Sequence, residues 1–202
     1  MSPDRVCISV TRKYEMVKRR EKVEETRRRI AKATYELHST IGPASTTVAQ
    51  IAERARLPRQ TIYRNFPTQL DLFRGCIAFG LDLSPPPDPV AWQEIADRDQ
   101  RLHSGLTELY AWFEDVEAIM TNSLRDIGAL PAAAEAMQPL AELMQFMHDT
   151  LSTGWEIHSV SPLIRLAIDF STWKMLRRVE GIESEAIIEF WVQLIGCRSN
   201  RG

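Results

Sequence analysis

Arg59, Gln60, Thr61, Tyr63 and Arg64 fall within one short run of the chain, and their side chains are of the types that read and grip a nucleic acid. Arginine presents a planar fork to guanine, glutamine pairs with adenine, a threonine methyl meets the methyl of thymine, and a tyrosine hydroxyl donates to phosphate. Such chemistry needs a rigid support, and the flanking residues predict one. From Thr46 to Phe66 the pattern is that of two short helices meeting at a tight turn. Thr47 with Gln50 three residues on makes a capping-box start. Val48, Ile51 and Ala55 then face inward, and the small Ala52 allows the helices to approach closely. Leu57 plugs the turn, Pro58 takes the first position of the second helix, and Ile62 and Phe66 point back to a core. A helical hairpin with a solvated polar face is the plainer reading of the same spacing.

The distribution of charge separates the two readings. The net charge of −2 over 202 residues conceals a basic first part, since residues 1 to 74 hold 16 Lys and Arg against 8 Asp and Glu, a net of +8, and the remainder carries −10. A concentrated basic part suits a polyanionic partner, whereas a helical adaptor that binds only proteins has no need of it. Residues 12 to 32 alone hold ten basic side chains, read either as a solvated charged helix or as an arm lying along phosphates.

Other chemistries fail on inventory. The cysteines at 7, 76 and 197 are widely spaced and make neither a disulfide framework nor a zinc knuckle. The four histidines lack the spacing of a metal site, and Asp99 with His103 reads as an exposed pair on a helix, so neither metal nor cofactor is expected. Phosphate loop, nucleophile elbow and apolar-buried acid pair are all missing, which argues against an enzyme. No apolar run approaches the roughly 18 residues of a membrane span, and a cytoplasmic protein is expected.

The elements that must position these residues all have a helical period, so the expected fold is all-α. Val23, Ile30, Ala33, Leu37 and Ile41 trace one face of a long helix ending before Gly42-Pro43. A helix over 68 to 83 leads into Ser84-Pro85-Pro86-Pro87-Asp88-Pro89, which breaks the chain. Leu102, Leu106, Leu109, Phe113, Val116 and Met120 form another apolar face, and Leu140, Met144, Met147 and Leu151 belong to a helix over 132 to 151 that Pro139 should kink. Ser161 is the expected N-cap, with Pro162 first in a helix reaching about Val179; another helix covers 183 to 197.

With those residues in view, Thr47-Val48, Ile51-Ala52, Ala55, Leu57, Thr61-Ile62-Tyr63, Phe66-Pro67 and Leu72-Phe73 resemble the helix-turn-helix signature of TetR-family transcriptional regulators. The resemblance covers residues 24 to 75. It implies a homodimer that binds double-stranded operator DNA, usually as a repressor, and is released by a small-molecule effector. It also implies Thr47 as a phosphate contact, Arg59, Gln60 and Thr61 as base readers, and Tyr63 and Asn65 as holders of backbone phosphates. Arg56 stands where the family commonly has a turn glycine, and Gln69 where it commonly has lysine. The division that follows is a basic extension over 1–22, the DNA-binding domain over 23–67, and a helical ligand-binding and dimerisation domain over 68–202.

Two helices late in the chain carry apolar residues on more than one side, which predicts a four-helix bundle between subunits through Ile164, Ile168, Met175, Ile188, Trp191 and Ile195. Trp112, Phe113, Met120, Met144, Met147 and Trp173 are the candidate lining of a pocket for an apolar effector, because methionine and aromatic walls adapt to such molecules; ordinary core is the plainer reading of each.

Overall fold

The computed structural model describes the backbone of residues 4–199 and the side chains of residues 16–156 and 160–197. Among the described residues there is no strand. The chain runs through α1 (Asp4–Thr40), α2 (Val48–Ala55), α3 (Arg59–Asn65), α4 (Gln69–Leu83), α5 (Pro89–Gln93) and α6 (Arg98–Asp126). A short 3₁₀ turn follows, then α7 (Pro131–Ala136), α8 (Gln138–Ser152), α9 (Ile157–Ala167), α10 (Phe170–Lys174) with a π-helical turn at Met175–Val179, and α11 (Ser184–Ser199). The all-α expectation holds.

Two compact units share these helices. One comprises Met1–Asp82 with Ala118–Ala136, the other Leu83–Glu117 with Met137–Gly202, so α6 contributes to both.

In the first unit, Ile30, Ala33 and Leu37 of α1 pack with Ile51, Ala52 and Ala55 of α2, Ile62 of α3, Phe66 and Leu72. Val23 and Ile41, expected on the same α1 face, are exposed, because the partner helices reach only the segment between them. α1 stops at Gly42, whose φ of +89° is a conformation glycine adopts freely, and whose N–H still donates to the Leu37 carbonyl. The loop beyond is pinned by the tail of α6. The Asn122 amide donates to the carbonyls of His38 and Ser39 at 3.0 and 2.9 Å, and the Asp126 carboxylate accepts the Ala44 N–H at 2.9 Å. Arg125, paired with Asp126, donates to the Ile41 carbonyl. A second small cluster joins Phe73 to Ala133 and Ala136.

In the second unit, Leu102, Leu106, Leu109 and Phe113 of α6 are buried with Trp92, Met147, Leu151, Val160, Ile164, Trp173 and Ile195. Several of the polar groups drawn into this core are matched. Tyr110 donates to the Ala167 carbonyl at 2.8 Å, the Trp92 indole to Glu108 at 2.9 Å, and the buried Arg101 guanidinium to the carbonyls of Ile95 and Thr153. Asp99 and His103 do not form the expected pair, since His103 lies 3.3 Å from Glu185. The described residues hold no cluster fit to bind a metal.

Four helix expectations are corrected. The 132 to 151 pattern is two helices, α7 and α8, separated at Met137; Pro139 sits in the first turn of α8, where its missing N–H costs nothing, and introduces no kink. Ser161 is not an N-cap, because α9 begins at Ile157 and holds Pro162 in its interior; the Ser161 hydroxyl instead meets His148 Nε2 at 3.2 Å. Nor does that helix run unbroken to Val179. It ends at Ile168, and Asp169 caps a new helix, its carboxylate accepting the Thr172 N–H at 2.7 Å and the Thr172 hydroxyl at 2.9 Å. Pro58 likewise precedes α3 as its N-cap rather than opening its first turn.

Candidate nucleic-acid interface

The interface is built on local signals. Thr47 and Gln50 form the full capping box, with the Thr47 N–H donating to Gln50 Oε1 at 2.8 Å and the Gln50 N–H to Thr47 Oγ1 at 3.3 Å. The Thr47 hydroxyl also points at Gln50 Oε1, 2.8 Å away, so its proton is committed within the box. α2 ends in a left-handed residue, Arg56, at φ 52°, and the Leu57 N–H reaches back to the Ala52 carbonyl at 2.9 Å. Arg56 thus adopts the backbone for which glycine is favoured. Leu57 packs against the core as expected and turns the chain into α3.

Two arginines of α1 hold this arrangement. Arg29 donates to the Ala55 carbonyl at 2.7 Å, at the carbonyl end of α2, where a cation is favoured by the helix dipole. Arg27 donates to the Asn65 carbonyl at the end of α3 and lies 4.4 Å from the centroid of the Phe66 ring. Sequence reasoning had counted both with the basic arm. Their partners stand 26 and 38 residues away, and no local spacing signals such a contact. Lys18, Arg19 and Arg20 are exposed, while Arg12 and Lys13 lie outside the described side chains.

On α3 the division of faces is sharp. Ile62 is buried, whereas Arg59, Gln60, Tyr63 and Arg64 are exposed, and none of these four forms a hydrogen bond or ion pair with another described residue. Because Arg59 and Tyr63, and likewise Gln60 and Arg64, are four residues apart, they stack as two adjacent rows along one side. Thr61 is half-buried, and Asn65, also half-buried, donates its amide to the Thr61 carbonyl at 2.8 Å. At the start of α4 the Asp71 carboxylate accepts the Thr68 hydroxyl at 2.7 Å, and this bond holds its pKa below the usual carboxylate range. Gln69 is exposed beside it.

The residues expected at a dimer interface are placed differently. Ile164, Ile168, Ile188, Trp191 and Ile195 are buried within the chain, where α9 packs on α11, and only Met175 of the six is exposed. The apolar excess on these helices is consumed by their mutual packing. What stays outward is Leu166, Met175, Val179, Ile182 and Phe190. Of the candidate pocket residues, Trp112, Phe113 and Trp173 form a buried aromatic cluster with Phe170, its ring centroids 5.3 to 5.8 Å apart. Met147 is buried and Met144 half-buried in the same unit, while Met120 belongs to the other one.

Comparison with known proteins agrees with this geometry. Residues 30–76 match the family described as "Bacterial regulatory proteins, tetR family". A TetR transcription regulator from Haloarcula marismortui is similar in structure, with a TM-score of 0.59 at 16% identity over 88% of this chain and 98% of that one. NalD of Pseudomonas aeruginosa, the secondary repressor of the MexAB-OprM multidrug efflux pump, gives a TM-score of 0.60 at 20% identity over 87% of this chain and 96% of its own. No curated protein sequence matches. Residues 30–76 thus match the DNA-binding segment of the tetR family of bacterial regulatory proteins, and the fold of the described residues is similar to that of these regulators.

Proposed function

We propose that the chain acts in the cytoplasm as a homodimeric repressor that binds a palindromic operator and leaves it when a small apolar effector binds the second unit. The observation that carries this reading is the outward face of α3, where Arg59, Gln60, Tyr63 and Arg64 are exposed and uncommitted above a buried Ile62. Arg59 and Gln60 at the helix start read base edges in the major groove; Tyr63 and Arg64, a turn further on, grip flanking phosphates together with Thr47, whose hydroxyl turns from Gln50 to the phosphate on binding, and Thr61 and Asn65 flank them. By role, residues 1–22 are a basic extension, 23–67 the reader, and 68–202 the effector and dimer domain.

Dimerisation is assigned to the exposed apolar residues Leu166, Met175, Val179, Ile182 and Phe190 of the second unit. Large apolar side chains left outward on helices that pack together suit a partner site, and a stable pair buries roughly 1,600 Å² in total. The effector site is assigned to Trp112, Phe113, Met144, Met147 and Trp173. The Trp173 indole N–H is buried with no hydrogen-bond partner among the described residues, and a ligand oxygen accepting from it would recover that cost.

Selection of bound sites from a random double-stranded DNA library tests the reading. A recovered inverted repeat whose half-sites lie about one helical turn apart is expected. Recovery of no enriched sequence would overturn it.

A further inference from the structure

The first unit contains a cavity of about 210 Å³ behind the recognition helix. Val48, Ile51, Ile62, Phe66 and Phe73 wall it, and the exposed Tyr63 and Gln69 stand at its rim. Among the described residues no Lys, Arg, Asp or Glu lines it, so neither a cation nor an anion would find a counter-charge there.

One buried polar side chain faces this space. His38 lines the cavity and is only 4% exposed. Its Nδ1 lies 3.5 Å from the Cys76 sulfur, and its Nε2 makes no hydrogen bond to another described residue. Burial pushes the Cys76 thiol up to about 12, so the sulfur keeps its proton, and burial lowers His38 to about 4, so the imidazole is neutral. A thiol that donates to Nδ1 places the imidazole proton on Nε2, the tautomer the proposal below requires and its test reads. Beyond the polar Thr46, Tyr63, Thr68 and Gln69 of its lining, the cavity therefore offers apolar walls and, from its buried side, the His38 imidazole.

We propose that this cavity binds a small neutral arene bearing a single hydrogen-bond acceptor, held by His38 Nε2–H, at a site distinct from the effector site of the second unit. Size agrees, since an apolar cavity of about 150 Å³ accommodates benzene and the present one has room for a ring with a short substituent. Ile62, Tyr63 and Phe66 come from α3 or its C-cap, so an occupant touches the element that reads DNA.

The test uses the full-length protein and three probes, acetophenone, its near-isostere isopropylbenzene, and benzoate, titrated while the Ile51 and Ile62 methyl signals are followed by NMR. Acetophenone is expected to shift both methyls and to bind about five-fold more tightly than isopropylbenzene, the worth of one neutral hydrogen bond, with benzoate silent. Nitrogen-15 imidazole spectra should show His38 protonated at Nε2. His38→Phe, which keeps a ring and removes the donor, should equalise acetophenone and isopropylbenzene. Equal affinities in the wild type, a Nδ1-protonated His38, or methyl signals unmoved by acetophenone would each overturn the proposal. Because no DNA enters the measurement, its failure is distinguishable from failure of the regulatory reading.

Discussion

Base readers and phosphate grips should fail in different ways when single residues are changed. Arg59→Ala or Gln60→Ala should cost about 1–3 kcal/mol on the selected operator and relax preference at one position per half-site, with little effect on random DNA. Tyr63→Phe should weaken both DNAs alike, and a changed base preference in that variant would show the docking of α3 to be wrong. His38 carries a second prediction of the same scale. Its folded pKa of about 4 lies below the unfolded 6.5, because burial penalises the charged ring more than nearby Asp126 favours it. The unfolded chain therefore takes up the proton first as the solution is acidified. Stability should be unaffected above pH 6.5 and fall between 6.5 and 4, by about 3 kcal/mol in all. Urea titrations across that window should show the loss in the wild type and a flatter profile in His38→Leu; identical slopes would remove His38 as the cause.

At the level of helices and turns, legibility followed the range of the signal. The capping box at Thr47 and Gln50, the turn at Arg56 and Leu57, and the inward Ile51 and Ile62 are set by neighbours within a few residues, and all are found as expected. Arg56 was suspect because glycine is common there, and its φ of 52° confirms a left-handed backbone. Arg56→Gly should therefore stabilise the chain by about 0.5–1 kcal/mol, read as a rise in urea midpoint without a change in slope; a fall would mean that the side chain contributes more than the backbone loses. Proline was a poorer guide. Pro139 and Pro162 were placed by assuming that each must kink or begin a helix, but the Met137 break shifts the first into an opening turn, and α9 simply absorbs the second. Asp169, a ready N-cap inside an apolar stretch, was the overlooked sign that the helix after Pro162 divides. The struts Arg27 and Arg29 were illegible for another reason, since tertiary distance alone brings them to the ends of α3 and α2.

For the molecule as a whole, the two-sided apolar pattern of the late helices coincides with burial of Ile164, Ile168, Ile188, Trp191 and Ile195 within the chain itself. Periodicity reports that a side chain is buried, and says nothing of whether its own chain or a second copy does the burying. Phe190→Glu or Val179→Glu should give monomers with helical content intact, whereas Ile188→Glu, at a position 2% exposed, should lose folding instead. Light scattering beside circular dichroism separates these outcomes, and a dimeric Phe190→Glu would move the interface elsewhere. The charge asymmetry makes a further prediction. With about six phosphate contacts per dimer, log K should fall with log salt at a slope near −5, and an affinity insensitive to moderate salt would contradict a grip by the basic part. The sharing of α6 between the compact units bears on how the protein can be dissected. Asn122, Arg125 and Asp126 secure the loop after α1, and Ala133 and Ala136 cover Phe73, yet these residues follow Leu83–Glu117 in the chain. A fragment ending at Asp82 would leave the Ala44 N–H without its carboxylate and Phe73 without its cover. Chimaeras that graft this DNA reader onto another regulator's sensor thus require three junctions, near residues 82, 117 and 136, and a splice made only at the first would produce a head prone to aggregation.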